Sequence, residues 1–144
     1  MTNGPVQLNG QNFTLDQLVE IARNGRAVAV SVNSEARIKK ARNLVEHWVK
    51  KGTRIYGVTT GFGALSDVTI SFEDTKTLQR NILLSHAAGV GNCMADDVVR
   101  AMMALRINDF CRGNSGLRLE TIQTLAHLLN AGILPVVPEK GSVG

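Results

Sequence analysis

A mainly α-helical fold with one glycine-rich loop is the class that this sequence predicts. Residues typical of helix N-caps precede several amphipathic segments, and glycines follow most of them. Residues 56–63 interrupt this pattern with three glycines and two threonines, which is the composition of a loop. With 144 residues, 44% of them hydrophobic, the chain is long enough for a core of its own. No internal boundary is expected within residues 1–144.

The first predicted helix begins with capping chemistry. Thr14 and Gln17 have the spacing of a capping box, and Phe13 and Leu18 are placed as its hydrophobic staple. Gly25 is expected to end this helix. Its apolar face is expected to consist of Leu15, Leu18, Val19 and Ala22.

A β-like run over residues 27–32 precedes the second predicted helix. Ser34 is expected to be its N-cap, and the helix should end near Gly52. Its buried face is expected to contain Ile38, Ala41, Val45, Trp48 and Val49.

Three more helices are predicted after the glycine-rich loop. Ser71, three residues before Asp74, favours the start of the third helix. Asp96 and Asp97 favour the start of the fourth, because acidic residues stabilise the positive end of the helix dipole. The fifth should cover about residues 119–130 and end before Gly132. The side chains expected to be buried are Leu78, Ile82, Leu83, Val99, Met102, Met103, Ile107, Phe110, Leu119, Ile122, Leu125, Ala126 and Leu129.

The net charge of +4 is spread along the chain. The densest basic cluster lies on the second predicted helix and contains Arg37, Lys39, Lys40, Arg42, Lys50 and Lys51. Glu35 and Glu46 lie among these residues, which favours a solvated helix face over a nucleic-acid surface. No apolar run approaches the roughly 20 residues of a membrane span, and residues 1–10 contain no apolar segment typical of secretory signals. We therefore expect a cytoplasmic protein with no nucleic-acid or membrane partner.

Metal and nucleotide sites are not expected either. Cys93 and Cys111 do not have the spacing of metal ligands. Gly57, Gly61 and Gly63 do not have the dinucleotide-binding spacing, and the Lys-Gly-Ser tract at residues 140–142 lacks the earlier glycine of a P-loop.

Two side chains remain as candidates for chemistry. His47 and His127 share their helix faces with polar residues and are expected to face solvent, whereas His86 continues an apolar stripe. His86 is therefore either a hydrogen-bonded core residue or a group that protrudes into a pocket at a helix end. Tyr56 opens the glycine-rich loop and is either a packing residue or a base, a role that needs an electropositive or hydrogen-bonding environment.

Four sequence blocks occur together in this chain. They are YGVTTGFG at residues 56–63, LQRN at 78–81 running into SHAAGVG at 85–91, RGNSG at 112–116, and PEKGSVG at 138–144. In this order and spacing they resemble the aromatic amino-acid ammonia-lyase and aminomutase family over nearly the whole chain. The resemblance implies the N-terminal part of that family's helical-bundle catalytic domain, with short strands.

The resemblance also implies a cofactor and an assembly. The family's 4-methylidene-imidazol-5-one (MIO) forms autocatalytically from an Ala-Ser-Gly tripeptide, which is expected directly after Gly144. Elimination of the amine from an amino acid expels a poor leaving group. Covalent capture of the substrate by an electrophile divides this reaction into easier steps. The expected partners are an amino-acid substrate, the rest of the same polypeptide, and further copies in a homotetramer.

The family's site residues map onto this chain by motif. Tyr56 is implied as the catalytic base, and Ser85 and His86 as residues that touch the substrate side chain. The other implied residues are Phe62 and Gly63 for substrate binding and Gly57, Thr59, Thr60 and Gly61 for the active-site loop. A histidine beside the substrate suits an imidazole ring, so the chain most resembles histidine ammonia-lyases. Val58-Thr59 is a departure, since histidine lyases more often have Ile-Asn there.

Three functions remain open. The first is elimination of the amine from histidine, giving urocanate, or from a histidine derivative, such as one that loses trimethylamine. The second is a tyrosine or phenylalanine ammonia-lyase or 2,3-aminomutase, since some tyrosine aminomutases also have Ser-His. The third is a catalytically silent helical assembly fragment.

Overall fold

The computed structural model describes residues 4–63 and 66–141. These residues form five α-helices: α1 Leu15–Asn24, α2 Val32–Lys51, α3 Phe72–His86, α4 Asp96–Phe110 and α5 Leu119–Asn130. They also form four short strands: β1 Val6–Leu8, β2 Val28–Val30, β3 Val90–Cys93 and β4 Pro138–Lys140. The prediction of a mainly helical fold with short strands is confirmed. None of the helices in the described ranges has the length and apolar character needed to cross a bilayer.

The chain divides into two compact units. The first contains Met1–Asn43 and Cys93–Val137, and the second contains Leu44–Asn92 and Pro138–Gly144. The division falls within α2, within β3 before its last residue, and directly before β4. The expectation that the chain is one part of a single catalytic domain stays a prediction.

The first unit contains the hydrophobic core. Strands β1 and β2 pair in parallel, with Val6 opposite Val28 and Leu8 opposite Val30. The side-chain amide of Asn130 accepts a hydrogen bond from the Val28 N–H at 2.8 Å and donates one to the Val28 carbonyl at 2.9 Å. This amide therefore fixes the end of α5 to β2. The buried apolar side chains are Val6, Leu8, Ile21, Val28, Ile38, Val99, Met103, Ala104, Ile107, Cys111, Leu119, Ile122, Ala126 and Leu129.

Two arginines connect the elements of this unit. Arg100 donates to the Ile21 carbonyl at 3.0 Å and to the Leu129 carbonyl at 3.3 Å. Arg37 donates through Nη2 to the carbonyls of Asn9 at 2.7 Å and Cys111 at 3.1 Å. Charged donors of this kind form stronger hydrogen bonds than neutral ones. Arg37, expected on a solvated helix face, is therefore also a structural link.

Several details of the sequence prediction are wrong. Helix α2 begins at Val32, so Ser34 is not its N-cap. Ser34 is buried in the first turn instead, where its hydroxyl contacts the Ser31 hydroxyl at 2.9 Å and accepts from Arg37. In α1 the buried apolar residue is Ile21, whereas Leu15 is 74% exposed. The other exposed side chains that were expected to be buried are Val19, Val49, Leu83 and Met102. An apolar stripe leads to burial only where another element covers it, and the described residues leave these faces uncovered.

The second unit is held together differently. It contains the second half of α2, the glycine-rich loop, α3, and the pair of strands β3 and β4. Its described side chains include no buried apolar residue, and its buried polar ones are Thr59 and Thr60. Hydrogen bonds rather than a hydrophobic core therefore define the local shape of this unit. All of the residues expected in the active site lie in it.

Candidate active site

Two threonine hydroxyls organise the glycine-rich loop. Thr59 Oγ1 accepts a hydrogen bond from the Ile55 N–H at 2.9 Å and donates to the Thr53 carbonyl at 2.7 Å. Thr60 Oγ1 accepts from the Gly57 N–H at 3.3 Å and donates to the Gly61 carbonyl at 3.0 Å. These hydroxyls pair with backbone groups of the loop that belong to no helix or strand, and so help to give the loop a defined shape.

The two ends of the loop are also joined. The Gly61 N–H donates to the Val68 carbonyl at 3.1 Å, and the Ile70 N–H donates to the Thr59 carbonyl at 3.0 Å. The guanidinium of Arg54 forms an ion pair with Asp67 at 2.9 Å and also donates to the Asp67 carbonyl. The sequence prediction missed this ion pair, since nothing in the spacing of the two residues distinguishes it from two unrelated surface charges.

Tyr56 lies at the start of the turn that these bonds define. Its side chain is 63% exposed, and the edge of its ring meets Phe62 with the ring centroids 5.9 Å apart. Gly57 has a φ of 69°, and a Cβ atom there would lie 3.0 Å from the Phe62 ring. Tyr56 is therefore not a core packing residue. No hydrogen bond to its hydroxyl occurs within residues 4–63 and 66–141, and its role as a base stays a prediction.

Ser85 and His86 are the last two residues of α3, and both are exposed. His86 Nδ1 lies 3.0 Å from the Ile82 carbonyl oxygen and 2.9 Å from Ser85 Oγ. Ser85 Oγ donates to the same carbonyl at 3.1 Å. The interpretation of His86 as a core residue is therefore wrong. The structure places His86 at a helix end, and its protrusion into a pocket stays a prediction. His47 and His127 are exposed, as predicted.

The second and fourth sequence blocks meet just after this helix. Strand β3 pairs with β4. A Cβ atom on Gly141 would lie 3.1 Å from the Gly89 Cα, and one on Gly89 would lie 2.8 Å from the Pro138 ring. Glycine at both positions thus lets the two backbones approach closely. Residues 138–141 therefore lie beside the segment that begins at Gly89, three residues after His86. Gly144 itself lies outside the described residues.

The candidate residues of the loop and of the end of α3 are not joined to each other in the described chain. No hydrogen bond or ring contact there joins the loop residues Tyr56 to Phe62 with Ser85 or His86. No group of three or more potential metal ligands occurs in it either. The first unit has clefts of about 520 and 380 Å³, the larger apolar and the smaller lined by polar residues such as Arg37 and Arg112. Neither cleft contains a residue expected in the active site.

The fold is that of a mainly helical protein with short strands, and comparison with known proteins identifies its family. Residues 13–144 match the family described as Aromatic amino acid lyase, and the chain belongs to this family. Its members use the MIO group. Histidine ammonia-lyase from Caldanaerobacter subterraneus subsp. tengcongensis is 46% identical over 139 residues, which make up 96% of this chain and 27% of that enzyme. The chain thus spans about a quarter of the length of this relative.

Solved structures of the family share the fold. Tyrosine aminomutase from Streptomyces globisporus superposes with a TM-score of 0.90 at 36% identity, covering 96% of this chain and 26% of that one. Ergothionase from Treponema denticola, an ergothioneine-degrading enzyme, superposes with a TM-score of 0.91 at 32% identity, covering 96% and 28%. These similarities confirm the fold as the N-terminal part of an ammonia-lyase-like structure.

Proposed function

We propose that the complete protein, of which these residues form a part, eliminates the amine from histidine or a histidine derivative and gives an unsaturated acid such as urocanate. The observation that carries this proposal is the position of His86, exposed at the end of α3 and held by two hydrogen-bonding partners. A polar ring held in this way can pair with a polar substrate ring, whereas an apolar ring would leave it without a partner. The identity to a histidine ammonia-lyase supports the same substrate class.

Tyr56 is the proposed base. Its exposed phenol can reach a substrate, and the loop that carries it is preorganised by the hydroxyls of Thr59 and Thr60. Removal of a weakly acidic β-hydrogen requires a base held in a fixed position, because misplacement lowers the rate steeply. Phe62 meets the Tyr56 ring edge-on and would restrict the movement of the phenol. The proposed function of this loop is thus to position the base and to exclude water when substrate is bound.

The packing of the described residues just before residue 142 supports the inclusion of the family's cofactor in this proposal. When present, the MIO supplies the electrophile that captures the substrate covalently. Pro138 of strand β4 and Gly141, the residue after this strand, both lie close to Gly89. This packing brings the segment that precedes the cofactor in the family close to the segment after His86. The proposal includes the homotetrameric assembly and the cytoplasmic location expected from the sequence.

A second candidate is a 2,3-aminomutase acting on tyrosine or phenylalanine. The superposition on a tyrosine aminomutase favours it, and the superposition on ergothionase favours a modified-amine variant of the first candidate. A silent assembly fragment is the remaining alternative. It would be supported if the gene encodes no Ala-Ser-Gly directly after Gly144.

The substrate is tested by incubating the complete protein with histidine, tyrosine and phenylalanine separately. We expect the absorbance of urocanate and one equivalent of free ammonia from histidine, with little product from the other two. A β-amino acid formed from tyrosine without released ammonia would instead identify an aminomutase. Loss of trimethylamine from a trimethylated histidine, with no reaction of histidine itself, would identify the modified-amine variant.

A further inference from the structure

The hydrogen-bonding partners of His86 determine where its proton lies. The Ile82 carbonyl oxygen, 3.0 Å from His86 Nδ1, can only accept a hydrogen bond. A lone pair on Nδ1 would face this oxygen and repel it, whereas an N–H would donate to it. This contact therefore favours the Nδ1–H tautomer, in which the neutral ring keeps its lone pair on Nε2.

Ser85 contributes to the same arrangement. Its hydroxyl donates to the Ile82 carbonyl at 3.1 Å, so that its oxygen lone pairs face His86 Nδ1 at 2.9 Å. Nδ1–H is thus shared between two acceptors, and Ser85 and Ile82 together fix the rotation of the ring. This arrangement is local to the last turn of α3.

We propose that Ser85 is a positioning residue that holds His86 as the Nδ1–H tautomer, so that Nε2 meets the substrate ring as a hydrogen-bond acceptor. The inference rests on the proposed function in taking His86 as the group that meets the substrate. It narrows the substrate class to amino acids whose ring carries an N–H or O–H donor at its outer edge. Rings of similar shape without such a donor leave Nε2 unpaired and are disfavoured.

The tautomer is tested without any substrate. The complete protein is labelled with ¹⁵N-histidine, and the His86 signals are assigned by their loss in His86→Gln. At a pH where the ring is neutral, we expect the nitrogen signature of the Nδ1–H tautomer. Ser85→Ala should raise the share of the Nε2–H tautomer, and Ser85→Thr, which keeps the hydroxyl, should restore the native pattern.

Ser115→Ala is the matched control, because Ser115 is also exposed and lies in the first unit. It should leave the His86 signals unchanged. A native ring in the Nε2–H form would overturn the proposal, and an unchanged tautomer in Ser85→Ala would overturn the role of Ser85. If the complete protein does not turn over histidine but the His86 ring is the Nδ1–H tautomer, the proposed function fails while the tautomer assigned to His86 stands.

The role of His86 Nε2 as a hydrogen-bond acceptor is tested with two ligands of similar shape. Imidazolylpropionate carries a ring N–H, and thienylpropionate does not. We expect the native protein to bind the imidazole compound about tenfold or more tightly by calorimetry, and His86→Leu to reduce this ratio to about threefold or less. Equal affinities in the native protein would contradict an acceptor at this position.

Discussion

At the scale of single residues, the two candidate groups of the site owe their placement to backbone carbonyls and hydroxyls. His86 is held by the Ile82 carbonyl and the Ser85 hydroxyl, and the loop of Tyr56 by the Thr59 and Thr60 hydroxyls. These bonds join residues that are close in the sequence, so they do not depend on contacts with distant parts of the chain. Sequence motifs could therefore indicate which residues are candidates for the site, but a carbonyl partner such as that of Ile82 leaves no signal in a sequence.

Replacement of His86 by leucine should change substrate preference. Leu removes the acceptor while keeping a side chain of comparable bulk, so we expect the ratio of kcat/KM for histidine over phenylalanine to fall about tenfold or more. Steady-state kinetics of the complete protein measure this ratio. His127→Leu, on the exposed face of α5, is the control and should leave it unchanged. An unaltered ratio in His86→Leu would contradict a selectivity role for His86.

Cys111 should be protected from alkylation. Burial raises the pKa of its thiol from 9.0 to about 11, while the Ser34 hydroxyl and the Arg37 charge act in the opposite direction. The thiolate is the reactive form, so at pH 8 iodoacetamide should label this residue slowly in the folded protein and rapidly after denaturation. Peptide mass spectrometry follows the labelling. Equal rates in the folded and denatured states would contradict the buried environment.

The raised pKa of Cys111 also predicts how the free energy of unfolding changes with pH. A group whose pKa is raised on folding keeps its proton in the folded state while the unfolded chain loses it. The contribution of Cys111 to the free energy of unfolding is therefore present below pH 9 and lost as the pH rises toward 11.

At the scale of elements, helix boundaries were predictable wherever a side chain caps the helix. The capping box of Thr14 and Gln17 and the cap formed by Ser71 are present as expected, because these bonds involve residues three apart in the sequence. The start of α2 was not predictable in this way, since the Ser34 hydroxyl bonds to Arg37 and Ser31 rather than capping the helix. β1, β3 and β4, of three or four residues each, are too short to show an alternating pattern.

The loop should lose its order when the Thr59 hydroxyl is removed. Thr59→Val keeps the shape of the side chain but leaves the Ile55 N–H and the Thr53 carbonyl without this partner, at a cost of about 1–3 kcal/mol. Hydrogen exchange should then be faster across residues 53–61 in the complete protein. Thr53→Val is the control, because the hydroxyl of Thr53 makes no hydrogen bond in the described chain. Unchanged exchange in Thr59→Val would show that other contacts order the loop.

At the scale of the whole molecule, the distribution of apolar surface distinguishes the two units. The core lies in the first unit, whereas the described side chains of the second unit include no buried apolar residue, and Leu83 and Leu84 are 72% and 69% exposed. A contiguous exposed apolar patch on a protein surface usually marks a site where another element or partner binds. The sequence predicted which residues are apolar but not which faces the described residues would leave uncovered, because burial depends on partners that spacing does not reveal.

The 144-residue chain produced alone should therefore self-associate. We expect light scattering to show species larger than a monomer at micromolar concentration, and replacement of Leu83 and Leu84 by asparagine to reduce them. Lys39→Asn and Lys40→Asn, on an exposed part of α2, form the matched control and should not reduce association. A monodisperse, monomeric native chain would contradict this expectation.

The central claim is elimination from histidine with Tyr56 as the base. The most direct measurement is the rate of urocanate formation from histidine by the complete protein and by its Tyr56→Phe variant, with thermal unfolding as a check on stability. We predict turnover by the native protein, a rate about 10²- to 10⁴-fold lower in the variant, and similar unfolding temperatures. No urocanate from the native protein, or equal rates in the two, would contradict the claim.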